Sequence, residues 1–539
     1  MGKNSARNLT LVLTLLWTAT ILYGEMFAFW LPSLWTCSWP HLTRQSPSSS
    51  SSSSNAAEYT DDYVKVAVIA DPQLMDRTSL HLPPKSLALE IAQFYTDLYM
   101  RRAVLSSVLP FKPDVILFMG DYFDGGSILS DEEWQESLDR FKHVFDLSTL
   151  QSRGIPIYYI PGNHDIGYAA QHPFLPQVIK RYEENFHSRN YHFKVGNVDF
   201  IAIDAQTVDG NVQSNLTSET WNFIKDFSKD VNLTSRVLLS HIPLYRPDQT
   251  SCGPYRSSPV INQRIHRGGQ NNGVLYQNYV TEEASKNLLD LIRPAVILSG
   301  HDHDQCTVTH KAKEGVVIEH TIGTVSWQQG NLHPSFMLLS VSNNTSTTTS
   351  EKDMMILMDL CFLPQQLYIY LWYIILFVLT ILVLVLWPRN GIECFHWFGI
   401  SFLFGIGSGG AVKEKNEDDE KCEYEMVWDA EGNMHLIKKA TKPTSQVSSS
   451  DKSALERGKA VMRPTAKKQM VEEVDASIID MNSYTQDTTR VHHGSKAKGN
   501  AWTRKIIGRM LRAVRMFVVI AAVNLPLYMM LLFKDWIDK

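Results

Sequence analysis

The chain has 539 residues, a net charge of −5 and 44% hydrophobic residues. That length admits two to four domains. The mild acidity leaves no global basic field, which argues against nucleic acid as a partner.

Residues 1–31 read as a cytosolic tip and a transmembrane anchor. Leu9 to Leu31 is almost free of charge, with Glu25 the exception. No small-x-small cleavage pattern follows, so an uncleaved anchor is expected, a cleaved signal peptide being the alternative. Residues 32–63 carry "SPSSSSSSSN" and read as a flexible linker. From 64 to 341 strands and helices alternate. "VKVAVIAD" precedes an amphipathic stretch from Ser86 to Leu109. Then come "DVILFMGD", a helix near Asp131 to Phe145, "IPIYYIPGNHD", "VDFIAIDA", "RVLLSHIP" and "AVILSGHDHD". Short apolar runs of this kind fit strands buried on both faces.

Residues 342–366 read as a second polar linker. Leu367 to Trp387 follows without a charge, and about 20 apolar residues cross a bilayer core. Residues 388–513 mix both charges with few aromatics and read as a largely disordered loop, with 411–500 as a candidate platform for cytosolic partners. Within it, Ile392 to Gly407 either lies in the interface or crosses. Residues 514–533 form the third span and 534–539 a tail. Lys3, Arg7, Arg389 and "RKIIGRMLRAVR" flank the spans. Because basic residues stay cytoplasmic, residues 32–366 are expected in a lumen or outside the cell. With three spans the tail is lumenal too; a crossing at 392–407 would reverse it. Sequons at Asn215, Asn232, Asn343 and Asn344 agree. Of six cysteines, Cys252 and Cys306 are a candidate lumenal pair, and the lack of any CxxC argues against a cysteine zinc cage.

Five polar clusters each follow an apolar run: Asp71 and Gln73 in "ADPQ", Asp121 and Asp124 in "GDYFDGG", Asn163, His164 and Asp165 in "PGNHD", His241 in "SHIP", and His301 and His303 in "GHDH". Ligands of open α/β sheets bind beyond the carboxyl ends of strands, so these clusters should converge. Carboxylates, an amide oxygen and imidazoles suit borderline divalent ions. They are too many for one tetrahedral ion, and two ions about 3.5–4 Å apart, bridged by a carboxylate, would use them all. Gly120, Gly162 and Gly300 permit the tight turns that bring such side chains together. On an extended segment His301 and His303 can face one centre.

The ordered motifs resemble the calcineurin-like metallophosphoesterases, most closely the Cdc1/PGAP5 (metallophosphoesterase 1) group. The resemblance covers about residues 64–330. It implies an α/β fold, a double-layer β sandwich flanked by helices, and a hydrolase with two divalent ions, manganese favoured. It also implies roles. Asp121 would bridge the ions, Asp71 and His303 would hold the first, and Asn163, His241 and His301 the second. His164 would protonate or stabilise the leaving oxygen. Asp124 and Asp165 would orient ligands or bind metal. Gln73 stands where the superfamily has histidine and can offer only an amide oxygen or a hydrogen bond. The group trims ethanolamine phosphate from the second mannose of glycosylphosphatidylinositol (GPI) anchors in the early secretory pathway. The implied partners are therefore a GPI glycolipid or GPI-anchored protein and the lipid bilayer. The alternatives are a tethered phosphoesterase for another lumenal lipid, nucleotide or phosphoprotein, or a non-catalytic metal-binding scaffold. Tyr122, Tyr245, Arg246 and Arg256 are further candidates for substrate contact.

Overall fold

The computed structural model describes residues 2–43, 63–172, 175–211, 214–229, 234–259, 264–268, 273–313, 315–343, 355–387, 424–428, 434–438 and 497–537. Its strands up to residue 362, in chain order, are β1 (Tyr63–Ile69), β2 (Val115–Phe118), β3 (Ile157–Tyr159), β4 (Tyr191–Val195), β5 (Val198–Ile203), β6 (Ser235–Ser240), β7 (Ile265–Gly268), β8 (Gly273–Gln277), β9 (Val296–Ser299), β10 (Cys306–Ala312), β11 (Gly315–Thr321), β12 (Ser335–Ser342) and β13 (Ile356–Phe362). Eleven of them build two sheets, ordered β13-β12-β1-β2-β3 and β10-β11-β9-β6-β5-β4. β7 and β8 form a hairpin of their own.

The sandwich follows from the alternation of side chains along each strand. In β1, Val66 and Val68 face the second sheet, while Ala67 and Ile69 face helices. In β5, Phe200 and Ala202 meet the first sheet, while Ile201 and Ile203 pack on helices. Both faces of each central strand are thus apolar, which is why the runs looked continuous in sequence. Helix Leu87–Arg102 and helix Asp131–Val144 cover the first sheet through Tyr99, Met100, Phe141 and Val144. Helix Asn215–Ser228 and helix Glu282–Ile292 cover the second through Ile224, Leu288 and Ile292. Ser130 and Glu133 close a reciprocal cap on helix Asp131–Val144, satisfying its first free N–H groups.

The expected linker over 342–366 differs from the structure. Ile356–Phe362 pairs antiparallel with β12 as β13, with Met337 opposite Leu360. Its run of apolar residues continues the buried sheet, and the Ser/Thr-rich stretch before it masks this in the sequence. Cys37 and Cys361 join the end of the first apolar helix to β13, and Cys252 and Cys306 join a loop to β10.

Three helices are long and apolar enough to cross a membrane: Ser5–Thr36, Gln366–Leu386 and Trp502–Trp536. They touch through Leu13, Leu384, Met516 and Ile520, and through hydrogen bonds from Trp17 to Thr380 and from Thr18 to Asn524. Arg102 of the sheet-covering helix reaches the bundle. It pairs with Glu25 and with Asp535, and donates to the Leu531 carbonyl at 2.9 Å. Asp535 therefore lies on the side of the sandwich. The third helix begins at Ala497, well before the expected start at 514, because the basic run from Arg504 to Arg515 continues its helical register.

Glu393–Asn500 is a separate unit. Within it, Tyr424–Trp428 and Met434–Lys438 pair antiparallel. Of the linker expected over 32–63, residues 32–43 are ordered instead, Pro32–Thr36 continuing the first apolar helix and Pro40–Thr43 forming a further helical turn; residues 44–62, the Ile392–Gly407 segment, Asn232, Asn344 and most of the 388–513 loop lie outside the described residues.

Candidate metal centre

Register brings the five clusters to one edge. Ile69 pairs with Phe118, and Phe118 with Tyr159, so Asp71, Asp121 and Asn163 leave the first sheet at one level. Ser240 pairs with Ser299, which does the same for His241 and His301 in the second sheet. The chain turns sharply there. Asp71, Gln73, Asp121, His301 and His303 have φ of 48°, 41°, 55°, 69° and 59°. Residues with a Cβ rarely adopt this left-handed conformation, and such strain concentrates at functional sites. Gly120, at φ 98°, joins them. Gly162 serves by its size: a Cβ there would lie 2.1 Å from Asp121 Oδ1 and 2.2 Å from Asp121 N.

Two ligand groups result. Asp121, His241 and His301 offer atoms within 4.8 Å of one another, and so do Asp71, Asp121 and His303. Asp121 belongs to both, which is what a bridging carboxylate requires. His241 Nδ1 donates to the Met119 carbonyl at 2.7 Å. A carbonyl only accepts, so this tautomer leaves the Nε2 lone pair to the site. Nε2 lies 3.2 Å from both Asn163 Oδ1 and Asp121 Oδ2. His301 Nε2 donates to the Gln277 carbonyl at 3.1 Å, turning Nδ1 toward the ligands. Backbone carbonyls that orient ligating imidazoles are a recurrent feature of metal sites.

Electrostatics suit a cation. Burial pushes the imidazoles of His301 and His303 down to about 3 and about 4. Both are therefore neutral, the form that donates a lone pair. Burial alone would raise the Asp121 carboxyl, but the charge of His241 holds it well below the ordinary range. Burial would likewise lower His241, yet Asp121 holds it up at about 9. A proton and a cation thus compete for the same nitrogen.

The remaining candidates sort by their contacts. Asp165 accepts three backbone N–H groups, from Asp121 and Tyr122 at 2.8 Å and from Gly162 at 2.9 Å. Both its oxygens are occupied in joining two ligand loops. Asp124 accepts from Ser79 at 2.5 Å, and its carbonyl accepts from His164 Nδ1. Gln73 donates through Nε2 to Asp121 Oδ2 at 3.1 Å. It steadies the shared carboxylate, and its amide nitrogen faces the site. Tyr122 is in the core, donating to the Ile160 carbonyl. Arg246 is buried over the Tyr279 ring and donates to Thr321, so it does not reach a substrate. The Tyr245 side chain is partly exposed.

Asp302 and Asp304 were missed as functional residues. Arg256 donates to both oxygens of Asp302, at 2.7 and 2.9 Å. Asp304 accepts from the backbone N–H groups of Ser257 and Ser258. With the Cys252–Cys306 disulfide, they secure the loop beside the site. His301 and His303 do not lie on an extended segment as expected: both take the left-handed conformation beyond β9, and this turn, not strand alternation, brings both to the site.

The α/β sandwich carries two candidate ligand groups that share Asp121 and is joined to three helices long and apolar enough to cross a membrane. Residues 64–305 match the calcineurin-like phosphoesterase family, and this domain belongs to it. The chain is similar to Cell division control protein 1 of Saccharomyces cerevisiae, at 29% identity over 295 residues, covering 53% of this chain and 56% of that protein. It is 26% identical over 326 residues to the Metallophosphoesterase 1 homolog of Drosophila melanogaster, covering 57% and 76%. It is also 26% identical over 356 residues to Metallophosphoesterase 1 of Ailuropoda melanoleuca, covering 62% and 81%. The chain thus spans little more than half the length of the yeast relative.

Proposed function

We propose that this protein is a lumenal phosphodiesterase that removes the ethanolamine phosphate from the second mannose of GPI anchors, using two manganese ions. The observation that carries the reading is the pair of ligand groups sharing Asp121. Asp71, Asp121 and His303 would hold one cation, and Asp121, Asn163, His241 and His301 the other. When bound, the cations supply an activated water and neutralise charge on the phosphoryl oxygens.

The chain's own residues position these parts. Asp165 fixes the turn that presents Asp121. His164 commits its Nδ1–H to the Asp124 carbonyl; burial would lower its pKa, but the charge of Asp121 and the contact with Asp124 raise it, favouring the imidazolium, whose second proton on Nε2 can pass to a leaving oxygen. A cleft of about 530 Å3 adjoins His303, lined by Ser258, Arg264, Tyr276, Asn278 and Asn331. That volume admits a sugar phosphate, and Arg264 supplies a positive charge for it.

The disulfides Cys37–Cys361 and Cys252–Cys306 support an oxidising lumen. Residence in the early secretory pathway (endoplasmic reticulum, its exit sites and the Golgi) and a role in GPI-protein export belong to the same proposal. The test is mass spectrometry of GPI glycans from cells lacking the protein, rescued with wild type or His301→Ala. The second mannose should keep its ethanolamine phosphate unless wild type is restored. Unaltered glycans in the deficient cells would end the GPI reading.

A further inference from the structure

Asp76 belongs to none of the five polar clusters. It follows the first ligand loop and is buried. Its Oδ1 accepts from Thr78 N at 2.8 Å and from Thr78 Oγ1 at 2.6 Å, closing a tight turn. Oδ2 is not needed for that turn. It accepts instead from Gly125 N at 2.6 Å, across 49 residues.

The Gly125 N–H is one side of the peptide group that joins Asp124 to Gly125. The other side is the Asp124 carbonyl, which accepts from His164 Nδ1. One peptide group therefore stands between a buried carboxyl group and the imidazole of His164, and its plane is fixed from both sides. A carboxylate on the N–H also polarises the amide, which makes the carbonyl a stronger acceptor. Residue 125 must be glycine for this approach: a Cβ there would lie 2.9 Å from both Asp76 oxygens and 2.7 Å from Thr78 Oγ1.

The turn is itself held. Arg140 donates to the Met75 carbonyl at 2.9 Å and to Asp97 at 2.7 Å, which ties the turn to the helices over the first sheet. Ser79 accepts from Asp76 N at 2.9 Å and donates to Asp124 Oδ2 at 2.5 Å. Leu80 and His81 then leave at φ 57° and 52°, a conformation that persists only where the surroundings enforce it. The segment from Met75 to Ser79 thus holds the side chain of Asp124 and its carbonyl together.

We propose that Asp76 is a positioning residue for proton transfer from His164, acting through the Asp124–Gly125 peptide. It keeps Nδ1–H on the carbonyl, so that Nε2 faces the leaving oxygen. In the step it serves, a water oxygen bonds to phosphorus and gives one proton to solvent. The bond from phosphorus to the leaving oxygen breaks, and that oxygen keeps the electron pair and takes the Nε2 proton. The inference rests on the reading of His164 as the acid of a phosphodiesterase.

The test uses the full chain in nanodiscs with manganese and two diesters, methyl p-nitrophenyl phosphate and methyl phenyl phosphate. They differ only in the leaving group. p-Nitrophenolate is a weak base and leaves without a proton; phenolate is a stronger base and gains from one. The quantity read is the ratio of kcat for the phenyl ester to kcat for the p-nitrophenyl ester, which does not depend on how much enzyme is folded. In Asp76→Asn the charge is lost, and the amide nitrogen must face the N–H of either Gly125 or Thr78. The ratio should fall about tenfold, part of the 10²–10⁴-fold that a general acid contributes. His164→Ala should lower it at least as far, and the double variant no further. If His164→Ala lowers the ratio and Asp76→Asn does not, the carboxyl group only folds the turn and the proposal is overturned. A further loss in the double variant overturns it too. If His164→Ala leaves the ratio unchanged, His164 is not the acid and both readings fall. If wild type cleaves neither ester with manganese, magnesium or zinc, the phosphodiesterase reading fails and takes this one with it. Should Asp76→Asn not fold, Thr78→Val removes one hydrogen bond to the same carboxyl group. It should lower the ratio about two- to threefold, and an unchanged ratio overturns the proposal.

Discussion

Asp165→Asn separates a residue that positions the metal centre from one that ligates it. Asp165 Oδ2 accepts from Asp121 N and Gly162 N, and Oδ1 from Tyr122 N. An asparagine can keep its oxygen toward the first two donors. Its amide nitrogen then faces the Tyr122 N–H, donor against donor. One buried donor left unsatisfied costs about 1–3 kcal/mol, and the lost charge weakens the other two bonds. About 2 kcal/mol in total corresponds to a fall in Tm of roughly 4–8 °C for a domain of this size. Loosening the Asp121 turn should also weaken metal binding about ten- to a hundredfold. Thermal unfolding of the manganese-loaded chain measures the first effect and calorimetric titration with manganese the second. Metal stoichiometry decides between roles: a positioning residue leaves two ions bound at saturating metal, whereas loss of a ligand removes one. Unchanged Tm and unchanged affinity would refute the assignment of Asp165 as the tie between the loops.

Three further outcomes follow from the same geometry. Gly162→Ala places a Cβ against Asp121; overpacking of that kind costs about 1–3 kcal/mol, and phosphodiesterase activity should fall far more than Tm does. Retained activity would show that the turn relaxes freely. His301→Ala and His303→Ala remove ligands from different groups, so elemental analysis after mild chelation should find one ion in each variant, and restoration by excess manganese should differ between them. Glu319 tests electrostatics behind the site. Burial would raise its carboxyl, but the hydrogen bond from His310 and the charge of Arg246 hold it below the ordinary value of 4.5. Its folded pKa is depressed, so its stabilisation is present above about 4.5 and lost as pH falls through the folded value. The gap in Tm between wild type and Glu319→Gln should be full at pH 7 and narrow as pH falls below about 4.5. A gap independent of pH would show that the carboxylate charge is not what stabilises.

Much of the metal centre was legible because it lies in short motifs at strand ends. Apolar runs marked the strands, and polar residues at their ends marked the edge where they converge. Less legible were contacts made by the backbone. That Asp165 binds N–H groups rather than a cation depends on how two loops approach, and no residue type announces this. Tyr122 and Arg246 had the chemistry to meet a substrate, yet packing buries both. β13 escaped notice because a strand at a sheet edge declares itself only when its partner is known.

The sequence by itself determined the membrane helices, the alternating α/β domain and the identity of the six ligand candidates, since each rests on local hydropathy or on residue chemistry within a few positions. Only the tertiary structure decided which ligands share a group, which histidine nitrogen faces inward and where Glu25, Arg102 and Asp535 meet. It also decided that Asp76 and His164 hold the two sides of one peptide group. These depend on register between strands and on packing across 77 residues between Glu25 and Arg102, or 433 between Arg102 and Asp535. Distances of that kind are set by the whole fold, because two sheets must close on one core before their edges can meet.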